Sequence, residues 1–218
     1  MPAAGARPAG ATAGAWADAR VPNKHDRNAI VSTTDTPIPA DIPADGHGFR
    51  YQPFYCEENA WWLCAEPNLG AGPRMVLFVL SHSGACPLAG QKAAPPGVLC
   101  WWDYHVVVLD GRHRVWDLDT RLGLPVTTAD WLKGSFPQIE HLPADLAPHF
   151  RVVPAADYRA DFASDRSHMR TADGAWQQPP PPWPSIGRGM TLPRYRSLAP
   201  EGPGEVLGWR DLLKRVGG

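Results

Sequence analysis

An α+β fold, with helices packed on a mainly antiparallel sheet, is predicted by three observations. A helix-like segment stands early, at 56–66. Two apolar, β-branched runs with a turn signal between them follow, at 98–110 and 114–120. Mixed short elements come after.

The elements follow in chain order. Residues 1–48 are rich in Ala, Gly and Pro and lack apolar periodicity. Such a segment buries too little to offset its ordering entropy and is expected to be a disordered tail. Aromatics crowd in from Phe49, so a single domain is expected over 49–218. CEENAWWLCAE (56–66) carries Glu57 and Glu58 in its first turn, where acids suit the helix dipole. Ala60, Trp61, Leu63 and Cys64 give it an apolar stripe, and Pro67 and Gly70 end it. MVLFVLS (75–81) reads as a buried strand, 83–97 as a loop, and VLCWWDYHVVVLD (98–110) as one long strand. Asp110-Gly111 signals a turn into the returning strand RVWDLDT (114–120). TTADWLKG (127–134) suits a short helix capped by Thr127 or Thr128. HFRVVP (149–154) suits one more strand, and PPPPWP (179–184) an extended crossing. VLGWRDLLKRVGG (206–218) reads as an amphipathic helix with Leu212, Leu213 and Val216 on one side.

Composition excludes several function classes. The chain has 218 residues, 44% of them hydrophobic, and its 21 Lys+Arg nearly cancel 22 Asp+Glu, so no basic surface for nucleic acid is expected. No apolar run is long enough to cross a membrane. Four cysteines without C-x-x-C or zinc spacing suit neither a disulfide scaffold nor a structural metal. The first residues lack a secretory core, so the reducing cytoplasm is the default compartment and a monomer the default state.

Three residues could do chemistry together. Cys56 begins a helix, where free N–H groups lower a thiol pKa and can receive an oxyanion; the adjacent acids oppose the first effect. A three-residue loop Asp110–Arg112 would set His105 opposite Asp117 in the hairpin, and a register two residues longer would set Asp119 there instead. Polar residues inside apolar strands are costly unless they satisfy each other. A helix-borne Cys with a strand-borne His and Asp follows the thiol–imidazole–carboxylate logic. Cys64, Cys86 and Cys100 read as small core residues, and His168 as a loop histidine. The Trp pairs 61–62 and 101–102 read as core packing, with one ring lining a pocket.

Several segments also resemble one family. Tyr55-Cys56-Glu57-Glu58-Asn59 with Trp61 and Leu63 is similar to the opening signature of the protein N-terminal glutamine amidohydrolases. Trp102-Asp103-Tyr104-His105-Val106 resembles their WDYHV segment, and Asp117-Leu118-Asp119-Thr120 the strand after it. Phe162 to Met169 and the Pro179–Pro182 run resemble two further segments, all in the family's order. The resemblance implies a three-layer α/β/α sandwich with a transglutaminase/papain-like catalytic core. It implies conversion of an N-terminal glutamine to glutamate with release of ammonia, on proteins or peptides with a free N-terminal Gln. It implies Cys56 as nucleophile, His105 as base and acid, Asp117 as orienter, and no cofactor or metal. In a eukaryote it places the product in N-degron-dependent degradation, in the cytoplasm or nucleus. Glu57, Glu58, Asp103 and Asp165 are candidates to meet the substrate α-ammonium. The alternatives are a transglutaminase or cysteine protease on the same core, or a non-catalytic interaction module.

Overall fold

The computed structural model describes residues 48–217, so the expected tail lies almost wholly outside the described residues. Helix α1 (Cys56–Leu63) opens the fold. Strands β1 (Met75–Leu80), β2 (Cys86–Leu88), β3 (Cys100–Trp102), β4 (His105–Leu109), β5 (Arg114–Trp116) and β6 (Val126–Thr127) follow. Then come α2 (Thr128–Ser135), β7 (His149–Pro154), α3 (Ala155–Asp161), α4 (Leu192–Tyr195), β8 (Glu205–Gly208) and α5 (Trp209–Val216). Six strands form one sheet in the order β6-β5-β4-β1-β7-β8, every neighbouring pair antiparallel, and β2 and β3 pair apart from it. The α+β expectation therefore holds.

Strand alternation explains why helices lie on both faces. Val76, Phe78 and Leu80 of β1, with Val106 and Val108 of β4, pack against Ala60 and Leu63 of α1 and Tyr158 of α3. Leu77, Val79, Val107 and Leu109 face the other way, onto Trp131 and Leu132 of α2 and Leu212 of α5. Both faces of β1 are thus dry, which is why MVLFVL is a continuous apolar run rather than an alternating one. Thr127 caps α2 by accepting from the Asp130 amide, one of the two caps expected.

Five expectations are corrected. The 83–97 segment holds β2 and is not wholly loop. The run 98–110 is two strands in two sheets: the chain leaves the β2 ladder at Trp102 and joins β1 at His105, with Asp103 and Tyr104 making the break. The β4–β5 register is two residues longer than the Asp110–Arg112 loop implies, since Val108 pairs with Trp116 and Leu109 with Val115. The Asp110 carboxylate causes this by accepting from the Arg112 and Arg114 amides, which moves the turn to Gly111–His113 with His113 at φ 58°. The ladder then ends at Trp116, so Asp117–Thr120 is a turn and not strand. Finally, 205–208 is an edge strand on β7 before the terminal helix begins.

Phe78 sits at the centre of one face, fully buried against Tyr104, Tyr158 and Tyr195. Phe78→Ala is expected to lower unfolding stability by about 3–5 kcal/mol, measured by urea titration.

Candidate active site

The site forms where β4 begins. His105 is the first residue of that strand and is fully buried. Its Nε2 lies 2.9 Å from Asp117 Oδ1. The hairpin register alone would put Asp119 level with His105. The contact with Asp117 exists because the chain has left the ladder and folded into a turn closed by the Asp119 amide donating to Asp117 Oδ1 at 3.0 Å. Asp117 Oδ2 accepts from Trp131 Nε1 at 3.0 Å and Gln91 Nε2 at 3.2 Å, so both oxygens are held. The Trp102 ring stacks on the imidazole at 5.4 Å. These contacts fix the ring and leave His105 Nδ1 buried without a hydrogen-bond partner.

Electrostatics follow from this geometry. Burial favours the neutral imidazole, but the Asp117 carboxylate outweighs it and His105 is raised above its usual range. Burial would lift Asp117, yet the His105 charge and hydrogen bond, with Trp131 and Gln91, hold it below the usual carboxylate range. Asp119 is pushed up to about 6 by burial, with Asp117 adding to it. Among the described residues, His105, Asp117 and Asp119 are the group whose donor atoms, all within 4.8 Å, could hold a cation. The His105–Asp117 contact already uses the facing atoms of two of them.

Cys56 begins α1, is 5% exposed, and lines a cavity of about 320 Å³. Burial pushes its thiol well up, Glu57 adds to the rise, and a backbone hydrogen bond from Val106 opposes it only in part. The sulfur thus sits beside the residue that follows His105. Cys64 and Cys100 are pushed up to about 12 by burial.

The four candidate acids separate. Asp103 lines the cavity beside Cys56 and lies 3.7 Å from Arg196. Glu57 is fully buried and is not among the lining residues; its Oε2 accepts from Tyr104 Oη at 3.0 Å and from Cys56 Sγ at 3.7 Å. Its Oε1 lies 3.3 Å from His168 Nε2, and both Tyr104 and His168 line the cavity. Glu58 is taken up by Arg166, which reaches both its oxygens at 2.7 and 2.8 Å, and by Trp183 Nε1 at 2.7 Å. Burial nonetheless raises its carboxyl. Asp165 is exposed, accepts from the Ser167 amide at 2.9 Å, and is not a lining residue; the Ser167 hydroxyl and amide hold its carboxyl low.

A profile of the N-terminal glutamine amidase family matches residues 51–216. The chain belongs to that family. It is 35% identical to the human protein N-terminal glutamine amidohydrolase, over 82% of this chain and 92% of the relative. The zebrafish (Danio rerio) relative of that name is 32% identical over 81% and 93%. The Arabidopsis thaliana one is 34% identical over 66% and 72%.

Some site residues escaped the sequence reading. Gln91 lies in a stretch read as loop and gave no signal. Trp131 was readable only as a helix residue. His168, read as a loop histidine, is on the cavity wall, and its signal was its place in the Phe162–Met169 segment. Both Trp101 and Trp102 line the cavity, where one ring was expected. Trp61 and Trp62 are half-buried, Trp61 packing on the edge of the core, under the guanidiniums of Arg159 at 3.3 Å and Arg50 at 3.8 Å.

The Glu58–Arg166 fork ties the cavity wall to α1. Glu58→Gln breaks a buried pair and is expected to cost about 3–5 kcal/mol in urea unfolding, with Arg166 left uncompensated.

Proposed function

We propose that this protein hydrolyses the side-chain amide of an N-terminal glutamine on proteins or peptides, giving glutamate and ammonia through a Cys56 thioester. Besides family membership, one observation carries the reading. The imidazole of His105 is locked by Asp117 through one nitrogen while the other has no partner, at the strand position next to the amide that touches the Cys56 sulfur. A helix-borne thiol beside a strand-borne imidazole is the arrangement of a transglutaminase/papain-like core, and we read residues 49–218 as one catalytic domain of that kind, working as a monomer.

Each step draws on a stated property. The thiol is held neutral by burial and by Glu57, so His105 takes its proton as sulfur attacks the carboxamide carbon. The carbonyl oxygen becomes an oxyanion beside the first-turn N–H groups of α1, which have no partner inside the helix. The C–N bond breaks as the imidazolium returns the proton to nitrogen, and ammonia leaves. Water then loses a proton to His105 and attacks the thioester carbon; glutamate and the Cys56 thiol result. Asp117 keeps the tautomer and supports the cation in both halves.

The α-ammonium selects an N-terminal residue. Asp103, on the cavity wall and partly exposed, is our choice to meet it. Glu57 is screened from the cavity by its own burial, so it contributes negative charge from behind Tyr104 and His168. Asp165 serves its turn and has no part in this reading.

Peptides bearing N-terminal Gln, N-terminal Asn, acetylated Gln or internal Gln distinguish the reading from a protease or transglutaminase. Ammonia release is expected from the first alone. Cys56→Ala and His105→Ala should each lose about four to six orders of magnitude in kcat, and Asp117→Asn on the order of 10⁴. Release from acetylated Gln at the wild-type rate would sink the N-terminal selectivity.

A further inference from the structure

Asp119 is fully buried, and the proposed chemistry does not use it. Its carboxylate lies within 4.8 Å of the donor atoms of both His105 and Asp117. One oxygen accepts from Tyr51 Oη at 2.6 Å, and the other is buried without a hydrogen-bond partner. A carboxylate so placed costs desolvation energy that one phenol hydroxyl does not offset. Tyr51 belongs to the segment that runs into Cys56, while Asp119 belongs to the turn that carries Asp117. The Tyr51–Asp119 bond therefore joins the two arms of the site across 68 residues of sequence.

We infer that Asp119, clamped by Tyr51, is a positioning residue that acts on His105 through its charge and holds the Cys56 arm against the His105 arm. This rests on the Cys56–His105–Asp117 reading.

The groups facing Asp119 come from each element packed there. They are Asp117 on its own turn, His105 on β4, Cys100 on β3, Tyr51 before α1, Lys92 on the segment after β2, and Cys56 at the start of α1. Lys92 donates to the Leu118 carbonyl at 2.9 Å, and Asp117, Asp119 and Glu57 all raise His105. Burial pushes Asp119 up to about 6, which leaves it ionised at neutral pH. In that form it stabilises the imidazolium and makes His105 a stronger base toward the neutral thiol.

Two near-isosteric variants separate charge from clamp. Asp119→Asn keeps an oxygen that accepts from Tyr51 and removes only the charge. Tyr51→Phe keeps the carboxyl group and removes the clamp, together with one hydrogen bond that lowers Asp119. kcat and KM on an N-terminal Gln peptide are measured from pH 5 to 9 for both, with wild type and Cys56→Ala beside them. In Asp119→Asn the acid limb of kcat/KM should move to lower pH by about half a unit or more, the Coulomb effect of one charge within 4.8 Å even at water-like screening. In Tyr51→Phe, read at the alkaline end of that range where Asp119 is ionised, kcat should fall by roughly tenfold with little change in KM.

An Asp119→Asn limb that superimposes on wild type overturns the inference, because a residue that only fills space would lower kcat without moving it. A Tyr51→Phe enzyme with wild-type kcat overturns the clamp. If Asp119→Asn does not fold, Asp119→Glu keeps the charge, and a wild-type limb with reduced kcat supports the inference while a shifted limb overturns it. The failures are distinguishable. An active Cys56→Ala refutes the thioester reading, whereas an inactive Cys56→Ala with an unmoved Asp119→Asn limb refutes only this one.

Discussion

A protonatable ring and a carboxylate, both wholly withdrawn from water, must satisfy each other, and the His105–Asp117 hydrogen bond is where they do. Dehydrating either alone would be prohibitive. Much of the surrounding structure answers that requirement. Trp131 reaches in from α2 and Gln91 from beyond β2 to finish the carboxylate, and the Asp119 amide closes the turn beneath it. Helix α2, the β2 region and the β4–β5 hairpin converge on two oxygen atoms. The packing of one sheet face is inseparable from the alignment of one imidazole.

The other half of the site is governed by an excess of negative charge. Glu57, Asp117 and Asp119 all act on the thiol in the direction of keeping its proton, and burial acts the same way. These effects raise the thiol, although it begins a helix. The sequence left the dipole and the adjacent acids in opposition; burial, and then the full charges of the neighbouring carboxylates, outweigh the partial charges of the first turn.

The sequence was most readable where one physical demand dominated. β1 and β7 fall where apolar and β-branched runs predict them, because burial on both faces leaves no room for another pattern. His105 and Asp117 were legible as polar residues stranded in apolar strands, and Cys56 by its place at a helix start. The hairpin register was not, because it is decided by a side chain, Asp110, that competes with the ladder for backbone amides. The Asp103–Tyr104 break was hidden for a related reason: five strand-forming residues on either side speak louder than the two that interrupt them. Gln91 and His168 belong to irregular segments, where no period announces which side chain turns inward.

The Glu58–Arg166–Trp183 strut has a consequence for redesign. Arg166 sits at φ 62°, a left-handed backbone that its guanidinium contacts hold in place, and the next residues, Ser167 to Arg170, form part of the cavity wall. The cavity wall is therefore tied by a bolt to helix α1. A graft that exchanges the outer loop for another, hoping to admit a different terminal residue, would carry over a shape only if it imported the bolt and its acidic socket together.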